Sequence, residues 1–280
     1  MKRILITGAN SYIGTSFENH LKQWPSKYCI DTVEMINDYW QEKSFSDYDV
    51  VVHVAGIVHT KETKKNTGIY YKVNRDLAIE VAKKSKAEGI KHFIFISTMS
   101  VYGLNIGIIT KDTIPQPRNS YGKSKLQAEE GIKKLSSEDF NIAIIRPPMV
   151  YGKYCKGNFQ ALLNIVEKSP LFPRCNNKRS MIYIDHICAF IKLLIDIEGV
   201  GVFFPQNKQY FQTSQTAILI AKSKNKKLRM STVAGAVVSV LRFIIPMFKK
   251  GFGDLIYQDT EEFDYCYCTV DFTETIMKSV

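Results

Sequence analysis

The feature that most constrains the fold is an alternation of short apolar runs with helical patterns through the first two-thirds of the chain. This alternation is typical of strands that alternate with helices in a parallel sheet. Strands are predicted at residues 3–7, 29–34, 50–54, 92–97 and 142–146, and helices at residues 12–23, 73–88 and 121–135. Because crossovers between parallel strands are right-handed, the pattern predicts an α/β fold with a Rossmann-type doubly wound parallel sheet.

After Gly152 the regular alternation of strands and helices gives way to shorter helices, apolar patches and Pro-rich turns. A chain of 280 residues is long enough for two lobes. We therefore expect a first domain of residues 1–152 plus roughly 183–200. Residues 153–182 and 201–280 would form a smaller α/β C-terminal lobe that binds the substrate.

The amino-acid composition limits which ligands and partners the protein can be expected to bind. The formal net charge is +11, but Lys and Arg are scattered over polar helix faces, which argues against a nucleic-acid partner and leaves attraction of an anionic substrate. The six cysteines include no C-x-x-C pair, and the C-x-C pair at Cys266 and Cys268 is a poor metal clamp, so no metal is expected. Free thiols and the lack of a secretory signal pattern predict a cytoplasmic protein. We expect a homodimer.

One segment, residues 233–248, is unusually apolar, although Arg242 and Pro246 interrupt it. It is shorter than the roughly 20 residues that a membrane span requires, so no transmembrane segment is expected. A buried or lid-forming helix is the favoured interpretation. An amphipathic helix that touches a membrane beside Lys249 and Lys250 is the alternative.

A glycine-rich turn joins the first predicted strand to the first helix, with the pattern G-x-x-S-x-x-G from Gly8 to Gly14. Gly8 lets the chain turn tightly, and Gly14 lets the helix pack close to the sheet, so that the helix N-terminus faces a pyrophosphate. Ser11 stands where a third glycine is usual. The turn predicts a dinucleotide site.

The second strand ends near Glu34, about 20 residues after Gly14. A carboxylate there accepts hydrogen bonds from the ribose hydroxyls and repels a 2′-phosphate, which favours NAD over NADP. Asp31 is the alternative acidic residue. The third strand ends in Val54, Ala55 and Gly56, whose small side chains leave room for the adenosine half of NAD.

Tyr121 and Lys125 stand at i and i+4 of a predicted helix and so share one face. We expect Lys125, together with the positive nicotinamide ring, to lower the pKa of Tyr121. Tyr121 then takes a hydroxyl proton as hydride leaves the same carbon. Thr98, with Ser100 and Ser97 as alternatives, lies at a strand end where it can fix the reacting oxygen.

Together these residues resemble the extended short-chain dehydrogenase/reductase superfamily, in the NAD-dependent epimerase/dehydratase branch that acts on nucleotide sugars. The resemblance follows an ordered series of motifs: the turn at Gly8, Glu34, 53–56, Tyr71-x-x-Asn74, 97–103, Tyr121-x-x-x-Lys125, 146–152 and 179–185. It implies catalytic roles for Thr98, Tyr121 and Lys125. It also implies that Asn74 shapes the site and that Pro147 and Pro148 lie beside the nicotinamide.

The resemblance also implies that Asn158 and Arg179 contact the diphosphate of the substrate, a role that suits guanidinium geometry. The predicted cofactor site comprises Gly8, Asn10, Ser11, Tyr12, Ile13, Gly14, Glu34, Val54, Ala55, Gly56, Asn74, Ser97, Tyr121, Lys125 and Pro148. The predicted substrate site comprises Thr98, Met99, Ser100, Tyr121, Asn158 and Arg179.

Three reactions of this branch compete. A 4,6-dehydratase typically carries Asp and Glu after the catalytic Thr, where this chain has Met99 and Ser100, so dehydration is disfavoured. Met149 departs from the Asn common in hexose epimerases. We expect 4-epimerisation of a UDP-hexose or UDP-N-acetylhexosamine, with reduction of a nucleotide-4-keto-sugar in surface polysaccharide biosynthesis as the alternative. A catalytically silent NAD-binding protein is the alternative from another class.

Overall fold

The computed structural model describes residues 1–58, 62–63, 66–258, 260 and 263–280. The chain divides into two compact units. Unit 1 comprises Met1–Gly103, Ile114–Pro147 and Ile187–Pro205, and unit 2 comprises Leu104–Thr113, Pro148–His186 and Gln206–Val280.

The strands and helices are numbered along the chain. The strands are β1 (Lys2–Thr7), β2 (Tyr28–Val33), β3 (Val50–His53), β4 (His92–Ile96), β5 (Gly107–Ile109), β6 (Asn141–Ile145), β7 (Met149–Tyr151), β8 (Leu171–Pro173), β9 (Met181–Tyr183), β10 (Gly201–Phe203), β11 (Arg229–Ser231) and β12 (Leu255–Tyr257). The helices are α1 (Tyr12–Leu21), α2 (Tyr39–Glu42), α3 (Thr67–Tyr71), α4 (Leu77–Ala87), α5 (Ser120–Lys133), α6 (Asn158–Lys168), α7 (Ile184–Asp196), α8 (Thr213–Ser223), α9 (Thr232–Ile244), α10 (Pro246–Phe252) and α11 (Phe272–Ser279).

Unit 1 is built on a six-stranded sheet in the order β10-β6-β4-β3-β1-β2, in which all neighbouring strands are parallel. Strands β3 and β4 are buried along their whole length, as expected for parallel strands that are covered on both faces. The predicted Rossmann-type doubly wound sheet and its five strands are confirmed. Each strand begins and ends within one residue of its predicted bounds.

The central helix of unit 1 departs from the prediction of one continuous helix over residues 73–88. The chain instead forms α3, then a π-helical turn at Lys72–Asp76, then α4. The extra residue of a π turn rotates the side chains that follow it, and such turns occur often at functional sites. Here the turn carries Asn74, which is fully buried.

The units also differ from the predicted domains. Residues 104–113 belong to unit 2 because β5 pairs with β12. Residues 201–205 belong to unit 1 because β10 pairs with β6 as the edge strand of the large sheet. A three-residue strand is too short to give a periodic signal, so sequence reasoning missed both.

Unit 2 combines short parallel strand pairs with helices. Strands β7 and β9, β5 and β12, and β8 and β11 form the pairs. An aromatic cluster of Tyr151, Phe159, Phe211 and Phe272 ties β7 to α6 and α11, with ring centroids about 5 to 6 Å apart. The Tyr151 hydroxyl lies 2.6 Å from Thr275 Oγ1.

The apolar segment 233–248 forms α9 and the start of α10. Of the favoured prediction, a buried or lid-forming helix, the buried alternative is wrong, because only Gly235 and Val238 of α9 are buried, and the lid-forming alternative stays a prediction. Within the described part of the chain, no helix combines the length and apolarity needed to span a bilayer.

Candidate active site

The turn between β1 and α1 leaves no room for side chains at its glycines. Gly8 has a φ of 105°, and a Cβ there would lie 2.8 Å from the Ala55 backbone. A Cβ on Gly14 would lie 2.6 Å from Ser11 Oγ and 3.0 Å from Val54 Cγ2. The turn therefore packs directly against the end of β3, as the sequence predicts for a dinucleotide-binding turn.

Ser11, in the position where a glycine is usual, is the N-cap of α1. Its Oγ accepts a hydrogen bond from Gly14 N at 3.1 Å. The helix begins at Tyr12, so the first-turn amides of Tyr12 and Ile13 have no carbonyl acceptor within the helix. The serine thus stabilises the helix start while the helix N-terminus keeps its favourable field for a phosphate. Asn10, beside it, is exposed with a φ of 65°.

Glu34 directly follows β2 and is exposed. The carbonyl of its neighbour Val33 accepts hydrogen bonds from Gly8 N and Ala9 N, at 2.9 and 3.2 Å, so Glu34 lies beside the glycine-rich turn. Asp31, the alternative, accepts a 2.7 Å hydrogen bond from the Tyr48 hydroxyl. Of the two carboxylates, the one at Glu34 is exposed beside the turn.

The end of β3 meets the π-helical turn through Asn74. The Asn74 side chain accepts from Ile57 N at 2.8 Å and donates to Ile57 O at 3.1 Å, which fixes the loop that follows Gly56. A Cβ on Gly56 would lie 3.1 Å from Asn74 Oδ1 and 3.3 Å from Lys125 Nζ. Gly56 therefore lets the loop pass close to the lysine.

The end of β4 carries the predicted hydroxyl groups. Thr98 is buried and caps a short 3₁₀ turn, Met99–Tyr102, with its Oγ1 accepting from Ser100 N at 3.1 Å. The side chain of Thr98 also lies near enough to Tyr121 to act on its pKa. Met99 is buried and Ser100 is half-buried. Of the candidate hydroxyls, Thr98 is the one that the structure brings to Tyr121.

Helix α5 presents Tyr121 at its N-terminal end. Asn119 caps the helix through a 2.8 Å hydrogen bond from Gly122 N. A Cβ on Gly122 would lie 2.6 Å from Ser100 O, so this glycine lets α5 approach the strand end that carries Thr98. Burial raises the pKa of Tyr121 to about 12, and the neighbouring Thr98 side chain opposes that rise.

Lys125 lies one turn after Tyr121 and is buried. Its Nζ donates to Ile96 O at 2.8 Å and lies 4.6 Å from the centre of the Phe95 ring. Burial lowers the pKa of Lys125 to about 7. Burial raises the pKa of Tyr121 in the protein alone, and the lowering expected from Lys125 together with the nicotinamide ring stays a prediction.

A third ionisable residue, which sequence reasoning missed, continues the same helix face. Glu129 is fully buried, and its carboxylate forms a two-pronged pair with Arg146, with one contact of 2.6 Å. Ser97 donates to Glu129, and Arg146 donates to the Tyr102 hydroxyl at 2.8 Å. The i+4 spacing from Lys125 was the signal that could have found Glu129. Ser97 therefore belongs to this network.

Unit 2 holds the predicted diphosphate contacts. Asn158 is exposed at the first position of α6, after Gly157, whose φ is 96°. Arg179 Nη1 donates to the carbonyls of Gly253 at 2.9 Å and Lys249 at 3.4 Å, and burial lowers its pKa to about 10. Arg179 thus anchors the end of α10, a structural role that the sequence did not predict. Pro148 is buried at the start of this unit's second segment.

Comparisons with known proteins agree with this geometry. A model of the NAD dependent epimerase/dehydratase family matches residues 4–201. The chain is 28% identical over 244 residues to N-acetyl-alpha-D-glucosaminyl-diphospho-ditrans,octacis-undecaprenol 4-epimerase of Escherichia coli O157:H7, which covers 80% of this chain and 73% of that protein. It is 29% identical over 221 residues to UDP-glucose 4-epimerase of Vibrio cholerae, covering 70% and 67%.

A solved structure shows the same fold over nearly the full length. UDP-glucuronic acid 4-epimerase of Bacillus cereus, in complex with NAD, aligns with a TM-score of 0.75 at 20% identity. The alignment covers 99% of this chain and 97% of that one.

Proposed function

The chain belongs to the NAD-dependent epimerase/dehydratase family, whose cofactor is NAD, and we propose on that premise that it is a 4-epimerase of a UDP-hexose or UDP-N-acetylhexosamine. The observation that carries the proposal is that the Thr98 side chain lies near enough to Tyr121 to act on its pKa, with Lys125 one turn further along the same helix. These are the side chains that proton transfer at a sugar hydroxyl requires.

The glycine-rich turn fits the dinucleotide. Gly8 and Gly14 have no space for a Cβ, and the N-terminus of α1 offers amide groups to a pyrophosphate. The proposed contacts in this turn are Gly8, Asn10, Ser11, Tyr12, Ile13 and Gly14. Val54, Ala55, Gly56 and Asn74 would flank the nucleotide, with Pro148 at the nicotinamide.

The chemistry that bound NAD supplies is removal of a hydride from sugar C4 and its return to the opposite face of the ring. Tyr121 Oη takes the proton of the 4-hydroxyl as that hydride leaves, and it gives the proton back when the hydroxyl forms again. Thr98 Oγ1 orients the reacting oxygen toward Tyr121. Lys125, when protonated, stabilises the phenolate of Tyr121.

Reduction of a 4-keto sugar uses the same three side chains and is the second candidate. A GDP-6-deoxy-D-mannose reductase of Pseudomonas aeruginosa is 26% identical to this chain over 172 residues. In that reaction Tyr121 only donates its proton, and the reduced cofactor is consumed. Met99 and Ser100 supply no carboxylate after Thr98, so dehydration is disfavoured.

Glu34 supports NAD as the form used. An exposed carboxylate beside the turn accepts the ribose hydroxyls and repels a 2′-phosphate. Titration of both cofactors into protein stripped of dinucleotide tests this. Glu34→Ala should weaken NAD binding by roughly ten- to a hundred-fold, the size of a lost charge-assisted pair of hydrogen bonds, and NADP binding by less. A wild type that prefers NADP would reject the assignment.

Asn158 and Arg179 are proposed to contact the substrate diphosphate. Asn158 is exposed at a helix start, where an anion is favoured. Arg179 uses one of its nitrogens on the carbonyls of α10, and its other donors would serve the diphosphate.

A substrate panel tests the proposed reaction. The panel contains UDP-glucose, UDP-N-acetylglucosamine, a nucleotide-4-keto-sugar and the undecaprenyl diphosphate-linked N-acetylglucosamine that matches the substrate of the Escherichia coli relative. Each is incubated with the protein, with and without added NADH. We expect a C4 epimer from a UDP-sugar without added NADH. Turnover only of 4-keto sugars with NADH would establish the reductase. Turnover of the lipid-linked sugar alone would change the proposed substrate from a UDP-sugar to a lipid-linked sugar.

A further inference from the structure

Helix α9 turns an apolar face outward. The exposed side chains include Val233, Val240, Phe243 and Ile244, which are 75%, 61%, 62% and 70% exposed, and Val237 lies beside them. These positions recur at helical spacing and form one stripe along the helix. A helix on the surface of a soluble protein normally turns its polar side to water, so this face has the opposite polarity.

The packing of α9 fixes this orientation. Ser231 caps the helix by accepting from Ala234 N, and a Cβ on Gly235 would lie 2.1 Å from Arg174 O. The one charged residue of the helix, Arg242, lies 3.6 Å from Asp254 and donates to Phe252 O. Rotation of α9 would break these contacts, so the apolar stripe is held toward the outside.

The chain around α9 is strongly basic. Residues 199–253 contain nine Lys and Arg residues and no Asp or Glu. Lys227 and Arg229 are exposed just before α9, and Lys250 is exposed at the end of α10, which follows it directly. The apolar stripe is therefore flanked in sequence at both ends by exposed cations.

We propose that the outward stripe of α9 (Val233, Val237, Val240, Phe243 and Ile244) docks on an anionic phospholipid bilayer. The apolar side chains enter the headgroup region, and the flanking lysines and arginine contact lipid phosphates. The helix has 13 residues, too few to span a bilayer, so it lies along the surface. The excess of positive charge favours an anionic surface over a second, equally basic copy of this chain. The proposal does not depend on which sugar is the substrate.

Vesicle sedimentation tests the proposal with the full chain. Protein is mixed with phosphatidylcholine vesicles, or with vesicles that also contain phosphatidylglycerol, at low and high salt. We expect binding to the anionic vesicles that is at least about ten-fold stronger than to neutral ones and that weakens as salt rises. The Lys249→Gln/Lys250→Gln double variant should reduce this preference.

Two valine variants distinguish binding through the stripe from binding through exposed apolar residues elsewhere on the surface. Val240→Glu should lower binding to anionic vesicles by about ten-fold or more, whereas Val200→Glu, at a valine 55% exposed in unit 1, should leave binding unchanged. Both should keep the wild-type circular dichroism spectrum and bind NAD as the wild type does, which shows that the fold is intact. Equal effects of the two variants, or no binding to anionic vesicles, would overturn the proposal. So would a dimer in sedimentation velocity that Val240→Glu abolishes, because a second copy would then cover the stripe.

Discussion

Helices α5 and α9 both reverse the usual polarity of a helix in a globular protein, in opposite directions. On α5, Lys125 and Glu129 are buried, and they follow Tyr121 on one face at intervals of four residues. On α9, valines and a phenylalanine are exposed while Arg242 forms an ion pair with Asp254. Burial of charge costs free energy unless each charge is paired, and exposure of apolar area forgoes the gain of burial.

The two helices differ in what offsets the free-energy cost of this reversed polarity. On α5 both buried ionisable groups have a partner within unit 1: Ile96 O for Lys125 and Arg146 for Glu129. The outward side chains of α9 gain nothing comparable within unit 2. The buried groups of α5 are therefore stabilised by contacts within unit 1. The apolar stripe of α9 would be stabilised by contact with the lipids of the proposed bilayer.

Loss of the Tyr121 hydroxyl should lower turnover more than any other change on the two helices. Tyr121→Phe keeps the ring and removes the proton carrier, so turnover should fall by roughly 10²–10⁴-fold while bound NAD is retained. Steady-state turnover and dinucleotide absorbance measure both quantities. Tyr39→Phe, at a tyrosine 74% exposed in the same unit, is the control and should keep full turnover. Wild-type turnover in Tyr121→Phe would remove Tyr121 from the mechanism.

A second effect concerns the buried pair. Glu129→Ala leaves Arg146 charged and without its carboxylate, and loss of one partner of a buried pair costs about 3–5 kcal/mol of unfolding free energy. Urea denaturation measures the cost, and Glu130→Ala, at the exposed neighbouring position, is the matched control. A small cost for both variants would mean that the pair contributes little to holding α5.

Lys125 gives a pH dependence with a definite sign. Its pKa is about 7 in the folded protein against the ordinary lysine value of 10.5, so between these values the unfolded chain binds a proton that the folded chain does not. Unfolding free energy should therefore rise with pH across that window, by at most about 1.4 kcal/mol per pH unit, and be unaffected by Lys125 below pH 7. Lys125→Met should remove this rise in protein stripped of dinucleotide, and Lys123→Met, on the exposed face of α5, should not. A rise that survives in Lys125→Met would assign it to other groups.

The differences between α5 and α9 also explain which parts of the fold and of the candidate site could be predicted from the sequence. The strands of unit 1 were predictable because runs such as Val50–His53 are apolar throughout and buried on both faces. The pair of Tyr121 and Lys125 was predictable because the two residues are four positions apart in a predicted helix. The partner of Glu129, Arg146, lies 17 residues away, directly after β6, so the pair could be found only from the fold. For α9, the sequence revealed an apolar segment but not which side packs, which the close approach of Gly235 to Arg174 decides.

The smallest expected effect tests the outward face of α9 in the absence of lipid. Val240 is 61% exposed, so Val240→Glu should change the unfolding free energy by less than about 0.5 kcal/mol, helped by the better helix propensity of Glu over Val. Val238, two residues earlier and 7% exposed, points inward, and Val238→Glu buries an unpaired carboxylate at a cost of several kcal/mol. Thermal denaturation without vesicles compares the two variants directly. An equal, large loss in both would mean that Val240 is already covered in solution, and the opposite polarity of α5 and α9 would then no longer hold. If only Val238→Glu is costly, the stripe contributes nothing to folding, and its apolar character must be explained by what it contacts outside the chain.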